Sequence, residues 1–437
     1  MEMVLGSEIE YGIGLRDQPT NPVVLSERVV SRVPGLGLGA LDRMLGNGAR
    51  VYVDHAHPEY SGPECASATD VLTWELAGDE LMRAAAGRVS ATIGEAVVLH
   101  RNNTDGKGRS YGYHENYLLP RDLPWDQVVD QVTGHLVSRI VLVGAGRVGL
   151  GQRGEQPGFQ LSQRADFMEA LQGIETTIRR PLVNTRDEPH ADPRRWRRLH
   201  LITGDATFAQ VATLVKVGGT ALVLAAIAAG QCRVPRLTDP LAALRAYSRD
   251  VTLTLAQPCD DGVERTALEL QRLYWQAADG QRDVLPDADL VLAEWDAMVR
   301  DAGTDPLLLR DRVDWAAKYA LLQGLRRRHG WQWDDPGVAA VDLQWHELDP
   351  QRGLARKLQA AGRLRSLVDE SSVRRAMQAP PTGTRAEVRA RILHERFAEV
   401  LQADWSRLTV TGEGDEVERI ELPDPFGGAP AYTGSDE

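Results

Sequence analysis

The pattern of apolar residues changes near residue 230, and this change constrains the fold more than any other feature. Up to about Gly230 the chain is rich in glycine, in turn signals and in short apolar runs with β-branched residues, which are typical of strands. From about Pro235 to Trp405, leucine and alanine recur at three- and four-residue spacing with arginine between them. The sequence therefore predicts an α+β fold in which a sheet packs against helices.

Periodicity and turn signals locate the individual elements. The expected strands cover 4–11, 50–54, 97–102, 139–143 and 159–164. The expected helices cover 67–88, 125–137, 208–230, 241–249, 265–277, 287–302, 311–329 and 385–401. The helix over 208–230 approaches membrane-spanning length, but because it contains Gln210 and Lys216 we expect a buried core helix.

A Pro-Pro-Thr-Gly break at 380–383 divides the helical half. Thr384 follows it as the expected N-cap of the last long helix. We therefore expect a large domain over 1–375, sheet-rich to about 230 and helical afterwards, and a small C-terminal domain over 376–437. The glycine-, proline- and acid-rich tail over 427–437 is expected to fray.

Composition excludes several classes of protein. With 43% hydrophobic residues the chain is not disordered, and its net charge of −12, from 50 basic and 62 acidic residues, disfavours non-specific binding to nucleic acid or an anionic membrane. Three widely spaced cysteines provide neither a disulfide framework nor a thiolate zinc site. The first residues lack the features of a secretion signal, so we expect a cytoplasmic protein.

Two carboxylates lie near the N-terminus in the run Gly-Ser-Glu-Ile-Glu-Tyr-Gly over 6–12. In a strand, Glu8 and Glu10 project from one face, and Ile9 and Tyr11 from the other. Like charges side by side repel unless a cation neutralises them. The pair is therefore either part of a solvated sheet face or a set of hard oxygen ligands for Mg²⁺.

A second cluster begins in the strand expected over 50–54. Tyr52 and Asp54 share one face of it, and His57 and Glu59 follow on either side of a proline that takes the chain out of the ladder. Functional sites of open sheets commonly lie at strand ends. The His-x-His spacing alone is weak evidence for a metal, but together with the first carboxylate pair it favours a functional site.

Two further polar clusters lie in the same half of the chain. One contains His114, and the other contains Arg164, Arg186 and His200. Arginine offers a planar fork of donors that suits phosphate oxygens, and neutral histidine is a good metal ligand. Each cluster alone is typical of a structural ion pair, whereas four clusters in one half of the chain predict a single assembled site.

One motif indicates a different chemistry. The run over 144–149 matches the dinucleotide fingerprint Gly-x-Gly-x-x-Gly, but a helix must follow the fingerprint, and residues 150–158 are rich in glycine and polar side chains. We therefore expect no dinucleotide site here. The chain also lacks a P-loop motif, so a nucleotide would have to be bound in another way.

The long motifs together resemble the Pup deamidase/depupylase family of actinobacteria, which is related to the Pup ligase. The similarity covers nearly the whole chain through GSEIEYG, VDHAHPEY, NNTDGKG, YGYHENYL, GFQLSQRADF, NTRDEPHADP and RLHLITGDA. It implies the glutamine synthetase-like α+β fold of carboxylate-amine ligases, with an antiparallel-rich curved sheet packed with helices and a small C-terminal domain.

The resemblance also implies an activity. Such an enzyme binds ATP and Mg²⁺, deamidates the C-terminal glutamine of Pup, a small disordered acidic protein, and cleaves the isopeptide bond between Pup and lysines of pupylated proteins. It would be functionally linked to the bacterial proteasome. By motif, the implied Mg²⁺ ligands are Glu8, Tyr52 and Glu59 in one set and Glu10, His114 and His200 in another, the phosphate contacts are Arg50, Arg164 and Arg186, and Trp405 lies beside the adenine.

Asp54 corresponds to the catalytic carboxylate of the family. It could attack the amide directly or act as general base on water, and the sequence leaves both routes open. His57 or His55 is the candidate proton donor to the leaving amine.

The family contains two opposite chemistries, hydrolysis and ligation. The ligase pattern after the catalytic aspartate is Val-Gly-Ser-His-Pro-Glu, whereas residues 55–59 read His-Ala-His-Pro-Glu as in the hydrolases. One departure is the short connection before Asp54, with a Gly-Asn-Gly turn at 46–48, where depupylases usually carry a long insertion. Hydrolysis is the predicted activity; a Pup ligase and a non-catalytic Pup-binding, nucleotide-sensing relative are the alternatives.

Arginine is concentrated in the helical half despite the acidic total. Two interpretations are open. The arginines belong either to solvated helix faces or to a basic, apolar-lined groove in which an acidic segment of Pup folds as helices.

Overall fold

The computed structural model of the protein describes residues 2–37, 41–106, 108–149, 156–412 and 416–433. The strands are β1 (Leu5–Glu10), β2 (Gly12–Leu15), β3 (Leu36–Gly37), β4 (Asp42–Met44), β5 (Arg50–Asp54), β6 (His57–Ser61), β7 (Val97–His100), β8 (Tyr113–Pro120), β9 (Arg147–Gly149), β10 (Gly158–Gln160), β11 (Met168–Gly173), β12 (Arg180–Asn184), β13 (Trp196–Leu201), β14 (Ala256–Pro258), β15 (Glu264–Thr266), β16 (Val400–Ala403), β17 (Arg407–Thr411), β18 (Val417–Glu421) and β19 (Ala431–Thr433). The α-helices are α1 (Pro22–Val30), α2 (Ala68–Ile93), α3 (Trp125–Ser138), α4 (Ile140–Val143), α5 (Gln210–Ala228), α6 (Pro240–Arg249), α7 (Ala267–Ala278), α8 (Ala288–Thr304), α9 (Asp314–His329), α10 (Pro336–Trp345), α11 (Leu354–Ala360), α12 (Glu370–Ala376) and α13 (Arg385–Glu395).

One large sheet organises the molecule, in the strand order β11-β12-β13-β8-β1-β6-β5-β4-β3. Neighbouring strands run antiparallel except for β11 and β12, which are parallel. The strand β1 lies in the middle, with Glu8 opposite His114 of β8 and Glu10 opposite Glu59 of β6. The predicted α+β class with an antiparallel-rich sheet packed with helices is confirmed.

The long helix α2 packs against one face of this sheet. It begins after Ser67, whose side chain accepts a hydrogen bond from the Asp70 backbone amide, and it ends at Gly94 in the left-handed conformation. Gly78 permits the close approach of the helix, because a Cβ at this position would overlap the ring of Tyr60 in β6. The ring of Tyr60 is fully buried at this contact.

The helix α5 lies in the core. It is the one helix in the described ranges that is long and apolar enough to cross a membrane, yet 94% of its most apolar window is buried inside the protein. Its Lys216 donates to the Asp205 carbonyl oxygen at 2.7 Å, and the Lys216 nitrogen lies 3.4 Å from the centroid of the Tyr113 ring. The prediction of a buried core helix over this segment is confirmed.

The strand predicted over 139–143 is wrong, since Ile140–Val143 forms the short helix α4 directly after α3. All four side chains are buried, so the run lacks the polar alternation that distinguishes a strand from a buried helix. The strand β9 then begins inside the glycine motif and pairs with β10. This is not the strand–turn–helix of a dinucleotide site, as expected; residues 150–155 lie outside the described ranges.

The predicted helices of the second half agree with α6 to α9 within a few residues, but the last one is too long. The predicted helix covers 385–401, whereas α13 ends at Glu395 and β16 begins at Val400. The apolar residues after the helix end belong to a strand of a second sheet, which the helical periodicity did not indicate.

The helix α13 and the four-stranded sheet β16-β17-β18-β19 form a unit that we call the C-terminal module. Val388 and Ile392 of the helix pack with Leu408 and Ile420 of the sheet in a separate apolar cluster. The expected fraying of the tail is wrong for Ala431–Thr433, because backbone pairing with β18 holds these residues; residues 434–437 lie outside the described ranges. The division into domains at 375/376 stays a prediction.

Buried ion pairs attach the module to the large sheet. Glu64 accepts hydrogen bonds from Arg385 Nε at 2.6 Å and from Arg389 Nη2 at 2.6 Å. Arg389 is fully buried and also donates to the carbonyl oxygen of Gly48, in the turn before β5. Burial by itself would raise the pKa of Glu64, but the charges of Arg389 and Arg385 outweigh it and lower the pKa to about 2.

Candidate active site

One cavity of about 990 Å³ covers the face of the large sheet opposite α2. All of the side chains singled out in the sequence line it, namely Glu8, Glu10, Arg50, Tyr52, Asp54, His57, Glu59, His114, Arg164, Arg186, His200 and Trp405. The structure thus brings the four clusters together, and the role of each residue stays a prediction.

Strand alternation places the carboxylates and histidines on the cavity side. Glu8 and Glu10 line the cavity, whereas Ile9 between them is fully buried on the helix side. His114 Nδ1 lies 3.0 Å from Glu8 Oε2, and His200 Nδ1 lies 2.8 Å from the Asn116 side-chain oxygen. Because both partners are acceptors, each Nδ1 donates a proton, which in a neutral imidazole leaves Nε2 as the nitrogen that can bind a metal.

Two groups of side chains have ligand atoms close enough for a metal ion. Glu8, His114 and His200 form one group, and Glu10, Asp54 and Glu59 form the other, with the ligand atoms of each group within 4.8 Å of one another. This geometry divides the ligands differently from the sets implied by the resemblance. Tyr52 adjoins the second group, because its hydroxyl donates to Glu59 Oε1 at 2.7 Å.

The chemistry of the two donor sets differs. The all-carboxylate group suits Mg²⁺, which prefers hard oxygen ligands. The group with two imidazoles also suits softer divalent ions such as Mn²⁺ or Zn²⁺. The residues present therefore fit a divalent cation, and the carboxylate group fits Mg²⁺ best.

The electrostatics of the cavity floor show an excess of negative charge. Burial, together with the charges of Glu8 and Glu10, raises the pKa of Glu59 well above its usual range. Burial acts in the same direction on Glu8, but the hydrogen bond from His114 and the charge of Arg198 hold its pKa well below the usual range. A bound cation would relieve this crowding of carboxylates.

Asp54 ends β5 at the mouth of the cavity, with 38% of its side chain exposed. Its carboxylate lies 2.8 Å from His55 Nδ1, and His55 has a φ of 53°, which a tight turn before β6 requires. His57 Nδ1 lies 3.0 Å from the Tyr11 carbonyl oxygen and must therefore donate to it. The ring of His57 stacks on Tyr111, with the ring centroids 4.2 Å apart. Because Nδ1 is occupied by the Tyr11 carbonyl oxygen, Nε2 is the ring nitrogen available for proton transfer in the cavity.

The C-terminal module supplies one wall of the cavity through Trp405. The Trp405 carbonyl oxygen accepts a hydrogen bond from Arg389 Nη1 at 2.8 Å, and the Arg389 guanidinium lies 5.1 Å from the centroid of the indole. Arg50, on the large sheet, pairs with Asp42 through two hydrogen bonds. The position of the Trp405 indole thus depends on Arg389, the buried arginine that also binds Glu64.

Several residues that line the cavity were not among the predicted site residues, and Arg198, Tyr111 and Arg180 are three of them. Arg198 precedes His200 by two positions in β13, so strand alternation could have indicated it. Tyr111 stacks on His57, and Arg180 begins β12 across the cavity. No local pattern distinguishes these two from ordinary residues, because their positions follow from tertiary contacts.

Comparison with known proteins gives the context of this site. A model of the Pup-ligase protein family matches residues 3–409. The chain is 39% identical to the Pup deamidase/depupylase of Mycobacterium tuberculosis, covering 100% of this chain and 96% of that one, and 40% identical to the depupylase of Acidothermus cellulolyticus, covering 99% and 96%. It is 36% identical to the Pup–protein ligase of Acidimicrobium ferrooxidans, covering 97% and 95%.

Two solved structures are similar over most of the chain. The complex of the prokaryotic ubiquitin-like protein Pup with its ligase PafA has a TM-score of 0.88 and 31% identity, covering 98% of this chain and 90% of that one. The ligase PafA with ADP has a TM-score of 0.81 and 32% identity, covering 90% and 88%. Because the family model matches most of the chain and relatives above 30% identity match its full length, the chain belongs to the Pup-ligase protein family.

Proposed function

We propose that this chain is a Pup deamidase and depupylase that depends on ATP and Mg²⁺. It converts the C-terminal glutamine of Pup to glutamate, and it cleaves the isopeptide bond between that glutamate and lysines of pupylated proteins. The observation that carries the proposal is the convergence of all twelve predicted residues on one cavity. Full-length relatives named depupylase, at 39–40% identity, support hydrolysis over ligation.

A nucleotide would be held on the side of the cavity formed by Trp405, with the indole beside the base. Arg50, Arg164 and Arg186, which line the same cavity, would contact its phosphates. The ADP complex of the related ligase supports a nucleotide in this fold. Bound Mg²⁺ supplies positive charge that neutralises the carboxylates and polarises phosphate and amide oxygens.

Amide hydrolysis needs a nucleophile and a proton for the leaving amine. Asp54 either attacks the amide carbon, giving an anhydride that water then opens, or takes a proton from an attacking water. In either route His57 Nε2 gives a proton to the departing nitrogen and regains one from the attacking water, directly in the first route and by way of Asp54 in the second. Tyr11 and Tyr111 hold the ring in place. Each cycle consumes one water, leaves Pup ending in glutamate and releases either ammonia or the lysine amine of the target protein.

A Pup–protein ligase is the second candidate, because the two solved structures described above are of a Pup ligase. A ligase would form the isopeptide bond that the proposed hydrolase cleaves. A cytoplasmic location, expected from the sequence, and a functional link to the bacterial proteasome, implied by the resemblance, complete the proposal.

The experiment is mass spectrometry over time of Pup ending in glutamine and of a Pup conjugate, each incubated with the protein, ATP and Mg²⁺. We expect a mass gain of about 1 Da on Pup, from replacement of NH₂ by OH, and release of the unmodified target. New conjugate formed from Pup ending in glutamate would instead identify a ligase.

The matched variants are Asp54→Asn, in the cavity, and Asp17→Asn, at an exposed position. We expect Asp54→Asn to lower both activities by at least about 1,000-fold while ADP binding is retained. Asp17→Asn removes the same charge and should behave as the unaltered chain. Full activity of Asp54→Asn would refute the assignment of the catalytic carboxylate.

A further inference from the structure

Two arginines in the cavity wall have no carboxylate partner among the described residues. Arg164 is 1% exposed and Arg180 is half-buried. No described carboxylate oxygen lies within 4.0 Å of either guanidinium, whereas Arg50 pairs with Asp42. The two side chains thus carry positive charge into the cavity that the described protein groups leave uncompensated at contact distance.

Both guanidiniums donate hydrogen bonds to backbone carbonyl oxygens of the protein. Arg180 donates from Nε to the Thr176 oxygen and from Nη2 to the Ser110 oxygen, each at 2.8 Å. Arg164 donates from Nη1 to the Tyr111 oxygen, and its buried Nε has no partner. Because each arginine has five N–H groups, most of the donors in the pair remain available for a ligand.

The two charges also act on each other. Burial lowers the pKa of Arg164 to about 10, and the neighbouring charge of Arg180 adds to this shift. Glu10 is the acidic group that opposes the shift on both, but its carboxylate already belongs to the group with Asp54 and Glu59. Two neighbouring cations in a partly buried wall repel, and a bound anion removes that repulsion.

Hydrogen bonds to a buried carboxylate and pairing in the large sheet fix the backbone that carries Arg164 and Arg180. Buried Asp205 accepts hydrogen bonds from the backbone amides of Gln163 at 2.9 Å and Arg164 at 3.3 Å, and from the Ser162 hydroxyl at 3.0 Å. Arg180 is the first residue of β12 and is therefore anchored in the large sheet. A rigid mount keeps the guanidiniums in place when no ligand is bound, which favours selective binding.

We propose that Arg164 and Arg180 together form a subsite for an oxyanion group, either a carboxylate or a phosphate, beside Glu10. The inference rests on the proposed function and deepens it by giving Arg180 a binding role. Two sources supply this chemistry: the terminal phosphate of the nucleotide, and the α-carboxylate of the C-terminal residue whose side-chain amide is hydrolysed. The planar fork of arginine matches both groups.

The test compares Arg180→Gln with Arg179→Gln, which removes the same charge from the adjacent exposed position. Calorimetry measures binding of four probes: inorganic phosphate, ADP, a peptide of the Pup C-terminus ending in glutamine, and the same peptide with a C-terminal carboxamide. Thermal unfolding of both variants checks that they remain folded. Arg180→Lys tests whether the fork is needed in addition to the charge.

Loss of one charge-assisted contact should weaken binding by about 10- to 100-fold in Arg180→Gln relative to Arg179→Gln. If the subsite takes phosphate, the loss affects inorganic phosphate and leaves both peptides unchanged. If it takes the α-carboxylate, the loss affects the free peptide, and the variant no longer distinguishes that peptide from its carboxamide. Either result supports the oxyanion subsite.

The proposal is overturned if Arg180→Gln binds phosphate and both peptides within twofold of Arg179→Gln. Its failure is distinguishable from failure of the proposed function, because the latter is measured as ammonia release by the unaltered chain. An unaltered chain that releases no ammonia, beside an Arg180→Gln variant with weakened phosphate binding, would keep the subsite and reject the hydrolase.

Discussion

The strand β8 carries polar groups on both of its faces. A carboxylate on one face makes close hydrogen bonds to an arginine, whereas the carboxylates beside the other face do not. On the helix side, Glu115 is fully buried and accepts hydrogen bonds from Arg139 at 2.8 and 2.5 Å and from the Tyr117 hydroxyl at 2.7 Å. On the cavity side, His114 lies between Glu8 and Glu10, with no arginine among the described residues closer to these carboxylates than 3.9 Å.

The same contrast holds between the helix α2 behind the sheet and the strands that line the cavity. Behind the sheet, Arg101 pairs with both Glu75 and Asp79, so these buried carboxylates are neutralised by the protein itself. In the cavity, the carboxylates of the group Glu10, Asp54 and Glu59 have no arginine or lysine within 4.0 Å among the described residues. The helix face therefore has the properties of a structural core, whereas the carboxylates of the cavity face are left available to a cation from solution.

The largest expected effect is on the helix face. Arg139→Met leaves Glu115 as an uncompensated buried charge, so we expect the free energy of unfolding to fall by about 3–5 kcal/mol. Urea unfolding followed by circular dichroism measures the change.

The control for this variant is the double substitution Glu115→Gln with Arg139→Met. It removes both charges, and we expect it to recover most of the lost stability. A single variant as stable as the unaltered chain would mean that the helix face tolerates unpaired charge, and the contrast between the faces would then have no energetic basis.

A smaller effect is expected at the attachment of the C-terminal module. The pKa of Glu64 in the folded chain is about 2, below its ordinary value of 4.5, so its contribution to stability is fully present above pH 4.5 and is lost as the pH falls towards 2. Glu64→Gln should lower the free energy of unfolding by roughly 2–3 kcal/mol at pH 7 and weaken ADP binding through displacement of Trp405.

Urea unfolding between pH 3 and 7 tests this dependence. The difference between the unaltered chain and Glu64→Gln should shrink as the pH falls below 4.5. The control is Glu370→Gln, whose side chain is 92% exposed, and we expect no comparable difference. A difference that is independent of pH would show that the carboxylate charge is not what attaches the module.

The smallest effect on stability is expected on the cavity face. Glu59→Gln removes a carboxyl group whose charged form is disfavoured by burial and by the neighbouring carboxylates. Without Mg²⁺ we therefore expect the free energy of unfolding to stay the same or rise by up to about 1 kcal/mol. The rise in melting temperature on addition of Mg²⁺ should become smaller, because an oxygen ligand loses its charge.

Differential scanning fluorimetry with and without Mg²⁺ measures both quantities. Glu115→Gln, on the opposite face, serves for comparison and should destabilise the chain at every Mg²⁺ concentration. Equal destabilisation by Glu59→Gln and Glu115→Gln would contradict the distinction between the two faces.

The sequence predicts the helices better than the strands. The reason is that strands of the large sheet carry polar residues on both of their faces. The strand β8 has tyrosine and glutamate on its buried side and histidine and asparagine on its cavity side, so it lacks the alternation of apolar and polar residues that indicates a strand. The strand β13, with two arginines in succession, was missed for the same reason.

The site residues could be named from sequence, but their grouping could not. Glu8 belongs with His114 because β1 and β8 pair in one register, and a shift by one residue would place His114 on the other face. Arg180 was not identified because its position opposite Arg164 depends on the parallel pairing of β11 with β12. Register and strand order are tertiary properties that no local pattern carries.

The wall formed by Trp405 has a consequence for the order in which the protein becomes functional during synthesis. Glu8 and Glu10 leave the ribosome first, and nearly the whole chain must follow before Trp405 and the arginine that holds it can join them. At 5–20 residues per second, this delay is on the order of tens of seconds. A chain that ends before Trp405 lacks the indole wall, and only chains synthesised through the C-terminal module can have both this wall and the acidic floor of the cavity.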